Sequence, residues 1–190
     1  SELTISPVIP ETAITLEGTF CDTDIIEAKA IPKGVINMNG TFGRCYNLET
    51  APLLPDTVED MTSTFYHDSN LKKVGRIPDS VTKMSSTFSY CVSLETVTNL
   101  PSNVYNLVWA FYHCENMKDV SLVIPSTVKK MDWVFANCYN LTGSITIYAN
   151  ILNLEDDRYI LANANKSNIT TEELEVLCPE QIYIKYYDEN

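Results

Sequence analysis

Hydrophobic residues recur in this chain about every 23 positions, a period much longer than that of a helix or a strand. The repeat is marked by six phenylalanines, which are Phe20, Phe42, Phe65, Phe88, Phe111 and Phe135. Successive phenylalanines are separated by 22, 23, 23, 23 and 24 residues. A period in the low twenties is typical of a solenoid, in which each unit is one coil and stacked coils bury equivalent positions in a shared core.

Other columns of residues keep a fixed distance from these phenylalanines. Four positions before them stand Leu16, Met38, Met61, Met84, Leu107 and Met131, and six positions after them stand Ile26, Leu48, Leu71, Leu94, Met117 and Leu141. Ten positions before them stand Pro10, Pro32, Pro55, Pro78, Pro101 and Pro125. Because proline fixes φ and has no N–H, the last column predicts a turn at the same place in every coil.

The two halves of a coil are predicted to differ in structure. Residues 71–78 and 94–101 separate apolar positions by polar ones, which favours a short strand. Residues 81–91 place Val81, Met84 and Phe88 at helical spacing, which favours a helical or irregular return segment. The sequence therefore predicts an α/β repeat solenoid.

The repeat pattern stops after Ile147, which divides the chain into a solenoid at 1–148 and a C-terminal capping segment at 149–190. Thr170 and Glu173 form a capping box before a short apolar helix that Pro179 ends. Residues 181–187 then alternate as a strand does. We expect this small α+β segment to cover the last coil, since an uncovered coil exposes strand edges and apolar residues.

The charge balance is strongly acidic, with 25 acidic and 13 basic side chains and a formal net charge of −12. Such a surface repels nucleic-acid phosphates and anionic lipid headgroups, so neither is an expected partner. The sequence contains no membrane-spanning apolar run, and residues 1–11 lack the pattern of a secretion signal.

A cysteine column lies three residues after the phenylalanines, at Cys45, Cys91, Cys114 and Cys138. Neighbouring coils bring such thiols within the Cα range of a disulfide, although parallel side chains hold the Cβ atoms slightly too far apart. Free packing thiols are therefore favoured over disulfides. A zinc site is disfavoured, because there is no C-x-x-C pair and a straight column of thiols is not tetrahedral.

Catalytic and cofactor motifs are missing from the sequence. It has no G-x-S-x-G, no H-E-x-x-H and no Gly-rich phosphate loop. His67 and His113 share a column but are two coils apart, so they are predicted to be ordinary surface residues rather than metal ligands. We expect no enzyme activity, no metal site and no cofactor.

The consensus P-x-x-V-x-x-M-x-x-T-F-x-x-C-x-x-L-x-x-V resembles the BspA-like leucine-rich repeats over residues 10 to 147. Phe88, Cys91, Leu94 and Val97 carry the resemblance most clearly, whereas Thr23 and Asp68 replace the cysteine of the family. The resemblance implies a right-handed, curved leucine-rich-repeat-like array of about six coils. It also implies a non-catalytic part of a bacterial or protist extracellular or cell-surface protein that binds host or neighbouring-cell proteins.

Asparagines five residues after the phenylalanines are predicted to hold the neighbouring turn through their side-chain amides. They are Asn47, Asn70, Asn116 and Asn140. This column is therefore assigned a structural role rather than a place in a binding surface.

Residues that vary from coil to coil are the candidates for protein contact. On the strand segment they are Lys72, Lys73, Glu95, Thr96, Lys118 and Asp119. On the return segment they are Trp109 and Trp133, accompanied by Tyr46, Tyr66, Tyr90, Tyr112 and Tyr139. Tryptophan and tyrosine are enriched at binding hot spots, but here they can equally pack between coils or under the cap.

Two other functions remain open at this point. The chain can act as a structural spacer or as a subunit of a larger assembly, such as a surface stalk or a phage fibre. It can also bind carbohydrate through its aromatic column.

Overall fold

The computed structural model of this chain describes residues 3–148 and the backbone of residues 182–186. Within these residues six coils, numbered one to six by their phenylalanines from Phe20 to Phe135, form a continuous stack. Adjacent phenylalanine rings lie nearly parallel, with centroids 5.3–5.7 Å apart and interplanar angles of 3–19°. All six rings are buried. The predicted solenoid with one shared core is confirmed.

The proline column makes the predicted turn in every coil. In each one the proline carbonyl accepts a hydrogen bond from the backbone N–H three residues later, at 2.9–3.3 Å. The residue that donates is Ala13 in coil one and a buried valine in the other five coils, such as Val81 and Val104. The turn therefore brings an apolar side chain into the core immediately after the chain reverses.

Neighbouring coils are joined by parallel β-bridges along two lines. One line runs through Thr15, Asn37, Asp60, Lys83, Asn106 and Lys130, and a second runs through Thr50, Lys73 and Thr96. Continuous strands form only toward the C-terminal end of the array, as β1 (Val120–Ile124), β2 (Gly143–Ile147) and β3 (Ile182–Tyr186). They make a parallel sheet in the order β1-β2-β3, with Val120 opposite Gly143 and Gly143 opposite Ile182.

Strand β3 lies inside the segment 181–187, for which a strand was predicted. The predicted helix that Pro179 ends lies outside the described residues. The division at 148 and the capping role of residues 149–190 therefore stay predictions.

The return segment takes the irregular one of its two predicted forms, since the described residues contain no helix. We use the term return ribbon for the residues from four before to three after each phenylalanine, such as 84–91 in coil four. In coil two, Met38, Gly40, Phe42 and Arg44 donate their N–H groups to carbonyls of coil three at 2.7–2.9 Å. Between them, Thr41 and Gly43 donate to the carbonyl three positions earlier, and Asn39 donates to the Asn37 side chain. Alternate N–H groups thus leave the coil, which an α-helix does not allow.

Positive φ angles explain why the helical spacing of Val81, Met84 and Phe88 was misleading. In every coil the residues two before and two after the phenylalanine have φ between 52° and 67°. A residue in this left-handed region ends a right-handed helical turn. The α component of the predicted α/β class is therefore wrong for the described coils, which alternate β-bridges with turns.

The threonine before the phenylalanine ties neighbouring coils together. Thr64 is fully buried, and its hydroxyl oxygen lies 2.8 Å from the Met61 carbonyl of its own coil and 2.9 Å from the Met38 carbonyl of the preceding coil. Thr41 makes the equivalent pair of contacts. Ala110 and Val134 fill this position in the last two coils, so the fold tolerates an apolar side chain there.

The cysteine column consists of free, buried thiols. The Sγ atoms of Cys45, Cys91, Cys114 and Cys138 donate to the phenylalanine carbonyl of an earlier coil at 3.0–3.1 Å. Burial raises the pKa of the Cys45 thiol to about 11 and that of Cys138 to about 12. These thiols are protonated at neutral pH and belong to the packing of the core.

Asp68 occupies the cysteine position in coil three and is fully buried. Its Oδ1 accepts the N–H of Cys45 at 2.8 Å, whereas Oδ2 has no hydrogen-bond partner among the described residues. Burial raises the pKa of this carboxyl well above its ordinary value. A neutral Asp68 has an O–H donor on Oδ2, as the cysteines have an S–H donor.

Coil one departs from the predicted register by one residue. The apolar position six residues after Phe20 was assigned to Ile26, but Ile26 is exposed and Ile25 is fully buried. The spacing from Phe20 to Phe42 is one residue shorter than the next spacing, and the coil absorbs this difference before Ile25.

The predicted asparagine column is only partly present. Asn140 donates its Nδ2 to the Glu115 carbonyl at 2.9 Å, while Asn47, Asn70 and Asn116 are exposed without an amide contact of this kind. The side chains that hold turns in several coils stand five residues before the phenylalanine instead. They are Asn37, Asp60 and Asn106, whose Oδ1 atoms accept the N–H two residues later at 2.8–3.1 Å.

Candidate recognition surface

The strand segment presents all six of its predicted contact residues to solvent. Glu49, Lys72, Glu95 and Lys118 occupy successive coils, with backbone bonds from Lys72 to Glu49 and from Lys118 to Glu95, both at 2.9 Å. Their charges alternate, and Lys72 Nζ lies 3.1 Å from Glu49 Oε2. Part of the charge on this strand face is thus neutralised between coils, and such exposed pairs contribute little stability.

The other strand positions also bond within the array. Lys73 and Thr96 are bridge partners, and the N–H of Asp119 donates to the Thr142 hydroxyl at 2.7 Å. That hydroxyl lies 3.1 Å from Asp119 Oδ1. Thr142 of the next coil therefore holds Asp119 in place, so this exposed residue also joins two coils.

The return ribbon carries Trp109 and Trp133 two residues before the phenylalanines of coils five and six, where φ is 58° and 55°. Coils one and two have Gly18 and Gly40 at the equivalent position, both with φ of 60°. A Cβ built on either glycine meets no atom within 4 Å. The position therefore points away from the core, and Trp109 is 43% exposed.

Tryptophan at this position carries a conformational cost. The left-handed region disfavours an L-residue by about 1–2 kcal/mol, and a bulky side chain is uncommon there. The comparison with Gly18 and Gly40 indicates that the fold does not require a side chain at this point. The positive φ itself recurs in all six coils, so the feature that distinguishes Trp109 and Trp133 is the size of the side chain placed there.

The position two residues after the phenylalanine forms a second outward column. The ring of Tyr90 stacks between His67 and His113, with centroid distances of 4.4 and 4.8 Å and interplanar angles of 14° and 10°. His113 Nε2 lies 2.9 Å from Asn137 Nδ2 at the C-terminal end of the column. At the other end Arg44 pairs with Asp22 at 3.2 Å.

The predicted tyrosines join these two columns into one aromatic face. Tyr112 lies 5.1 Å from Trp109, 6.2 Å from Trp133 and 5.3 Å from Tyr90, and its ring meets that of Tyr90 edge-on. Three further tyrosines make edge contacts with the column, which are Tyr46 with His67, Tyr66 with Tyr90, and Tyr139 with His113. We call these rings the aromatic face.

The histidines are members of this face that the sequence interpretation treated as ordinary surface residues. Their shared offset with Tyr90 from the phenylalanine was the available signal. Desolvation, Arg44 and His113 together lower the pKa of His67 below its ordinary value. A neutral imidazole stacks on Tyr90 without introducing a charge into the column.

Two acidic residues, Glu115 and Asp132, belong to the C-terminal end of the aromatic face. Glu115 Oε1 is 3.2 Å from His113 Nδ1, and its side chain is 41% exposed. Asp132 directly precedes Trp133, and its Oδ1 is buried without a hydrogen-bond partner among the described residues. Asp132 also accepts the Trp109 N–H through its backbone carbonyl at 2.9 Å, which places this acidic residue next to Trp109.

Residues 3–148 hold no group of three or more His, Cys, Asp or Glu side chains that could bind a metal ion. The described residues also contain no helix long and apolar enough to cross a membrane.

Comparison with known proteins gives one match. The BspA type leucine-rich repeat region matches residues 12–142 in six copies, which agrees with the six coils. Proteins with these repeats include bacterial surface and secreted proteins, and the family is generally non-catalytic and used for protein interaction. No curated protein and no solved structure gives a significant match to the chain.

Proposed function

Since this chain belongs to the BspA type leucine-rich repeat family, we propose that it is a non-catalytic module that recognises another protein through its aromatic face. The module acts on the bacterial cell surface or after secretion, and its partner is a host protein or a protein of a neighbouring cell. This assignment rests on the family together with the surface that the coils present.

The observation that carries the proposal is Trp109, an exposed tryptophan in a backbone conformation that glycine occupies in coils one and two. A side chain kept there at a conformational cost, and adding little to the core, supports selection for contact. Trp109 and Tyr112 also have the amphipathic rings that dominate protein interfaces. The strand face supports recognition less well, because Lys72 already pairs with Glu49.

Two double variants test the choice of face. Trp109→Gly with Trp133→Gly removes the indoles from the aromatic face, and Lys72→Ala with Lys73→Ala removes the lysines from the strand face. Binding to a panel of purified host extracellular proteins and bacterial surface proteins would be measured by biolayer interferometry. We expect the tryptophan variant to bind its partner about tenfold or more weakly and the lysine variant to bind like the wild type.

The reverse result would move recognition to the strand face and refute the proposal. Melting temperatures of both variants serve as the folding control. If both variants bound the partner as tightly as the wild type, neither the two tryptophans nor the two lysines would belong to the interface.

A second function, as a subunit of a larger assembly, is favoured by the first coil. In the later coils the carbonyls of the residues five, three and one before the phenylalanine and one after it accept N–H groups from the preceding coil. The equivalent carbonyls of Thr15, Glu17, Thr19 and Cys21 in coil one have no backbone donor among the described residues. Light scattering across a concentration series tests this function, because assembly through the open edge predicts concentration-dependent oligomers and the recognition function is compatible with a monomer.

A further inference from the structure

We infer that the aromatic face binds a positively charged segment of its protein partner, with an arginine side chain placed against the indole of Trp109. This inference rests on the proposed recognition function and adds the chemistry of the partner. It follows from three features of the face, which are the ring surface that remains accessible, the position of Trp109 in its coil and the sign of the surrounding charge.

The rings of the aromatic face differ in how much of their surface a ligand can reach. Both sides of the Tyr90 ring are covered, one by His67 at 4.4 Å and the other by His113 at 4.8 Å. Trp109 makes a tilted contact with Tyr112 at 5.1 Å and 32°, and 43% of the residue is exposed. Tyr46 and Tyr139 are exposed to a similar degree, at 47% and 45%, but an indole attracts cations more strongly than a phenol does, so Trp109 is the ring against which we place a flat cationic group.

The backbone places this indole outside the core. At the equivalent position in coils one and two, a side chain would enter open space. Trp109 follows the same course at φ 58°, so it extends from the ribbon beside Tyr112. An indole in this position offers a negative π face to solvent, and a cation within about 6 Å of the ring is attracted to it.

The return ribbons carry little positive charge of their own, although Lys130 borders the ribbon of coil six and its carbonyl accepts the Leu107 N–H at 2.7 Å. The six return ribbons are residues 16–23, 38–45, 61–68, 84–91, 107–114 and 131–138. Arg44 is the only side chain in them with a permanent positive charge. Arg44 is paired with Asp22 at 3.2 Å, in coils far from Trp109. Asp132 lies next to Trp109 in the following coil, where its backbone carbonyl accepts the Trp109 N–H at 2.9 Å, and the whole chain carries a formal charge of −12.

Arginine fits this face better than lysine does. Its guanidinium is planar, stacks on aromatic rings and donates to carboxylates while it is stacked. An arginine on Trp109 therefore keeps its N–H donors available for acidic groups of this negatively charged chain. The net negative charge of the chain also speeds the approach of a basic segment at low ionic strength.

The chain provides its own reporter for a test, because Trp109 and Trp133 are its only two tryptophans. A short synthetic peptide of alternating arginine and serine would be titrated into the full chain while indole fluorescence is recorded. Matched peptides replace every arginine by citrulline, which keeps the shape but removes the charge, or by glutamate. We expect the arginine peptide to bind about tenfold more tightly than the citrulline peptide and the glutamate peptide to give no signal.

Variants at one position separate a cation–π contact from simple hydrophobic contact. Trp109→Phe retains a ring and should keep part of the affinity, whereas Trp109→Leu and Trp109→Gly should weaken binding of the arginine peptide about five- to tenfold. Ser86→Gly is the matched control. Ser86 has the same left-handed backbone conformation one coil earlier, and its replacement by glycine removes no aromatic ring. It should leave peptide affinity unchanged, and Trp133 remains as the fluorescent reporter in every variant.

Equal binding of the arginine and citrulline peptides, or equal binding by the wild type and Trp109→Leu, would overturn the inference. A fluorescence change with neutral oligosaccharides and none with the arginine peptide would also overturn it, and would assign the face to carbohydrate. If the double tryptophan variant lost a protein partner but the wild type did not bind the arginine peptide, only the cationic ligand would be rejected and the recognition face would stand. Retention of that partner by the same variant would reject the proposed recognition face itself.

Discussion

Coils one and two and coils five and six are built on the same interior but carry different outward side chains. Phe20 and Phe42 stack at 5.4 Å, and Phe111 and Phe135 stack at 5.3 Å. On the outer side, glycine at one position of the return ribbon is replaced by tryptophan at nearly the same φ. The interior thus determines the path of the backbone, and the outward positions vary without changing that path.

The largest effect is expected from a change on the inner side of the ribbon. Phe88→Ala should lower the free energy of unfolding by about 3–5 kcal/mol, because it opens a cavity between two stacked rings. Trp109→Gly, on the outer side of the next coil, should change it by less than about 1 kcal/mol. Urea unfolding followed by circular dichroism measures both, and similar losses would contradict the division into an inner and an outer side.

A pH-dependent effect is expected from Asp68, the one acidic member of the thiol column. The raised pKa in the folded state means that folding favours the protonated form, so the stability contributed by this group declines as pH rises from about 4 toward the folded pKa. Over that interval the wild type should lose about 1.4 kcal/mol per pH unit relative to Asp68→Cys. Chemical unfolding of both proteins at several pH values gives this difference.

The neighbours of Asp68 allow a clean control for this pH experiment. The titratable groups that influence it or are influenced by it are the thiols Cys21, Cys45 and Cys91, and no basic group contributes to its shift. Asp68→Asn resembles the neutral acid in shape and should follow Asp68→Cys rather than the wild type. A difference between wild type and Asp68→Cys that does not vary with pH would show that Asp68 is ionised in the fold.

A smaller effect is expected from the threonine that joins coils. Thr64→Val removes one buried hydroxyl that lies between two carbonyls and should lower the free energy of unfolding by about 1 kcal/mol. Val134 shows that valine fits this position in coil six, so the loss should come from hydrogen bonding rather than from a clash. Ala110→Thr, measured in the same denaturation experiment, should move stability in the opposite direction.

The smallest effect is expected on the strand face. Lys72→Ala breaks an exposed ion pair with Glu49 and should change the free energy of unfolding by at most about 0.5 kcal/mol. The change should shrink further when salt screens the pair. A loss above about 1 kcal/mol in the same denaturation assay would show that this face stabilises the array more than exposed pairs do.

Spacing in the sequence predicted the interior well, because every coil buries the same columns at the same offset. Phe88, Leu94 and the proline before them could be placed from the repeat alone. The return segment could not, since helical spacing of apolar residues also arises when a chain of turns puts every fourth residue inside. Only the positive φ at residues such as Ser86 and Tyr90 separates these two structures.

The aromatic face shows where a one-dimensional pattern is insufficient. Tyr90 and Tyr112 differ in their offset from the phenylalanine, and yet their rings meet across neighbouring coils at 5.3 Å. The stack of His67, Tyr90 and His113 depends on side-chain rotamers as well as on their common offset. Likewise, one missing residue in coil one moved the buried position from Ile26 to Ile25, which a fixed offset does not detect.

The direction of the ribbon hydrogen bonds gives the array an electrical polarity. In each ribbon of coils one to five, four N–H groups point toward the following coil and the matching carbonyls point back. Aligned peptide dipoles of this kind add together, as they do in a helix. The bridge-line N–H groups, such as those of Ile36 and Glu59, point the other way, so the polarity belongs to the ribbon side of the array. The open carbonyls of coil one therefore form a partially negative edge, which attracts a cation or a donor-rich chain placed directly against it.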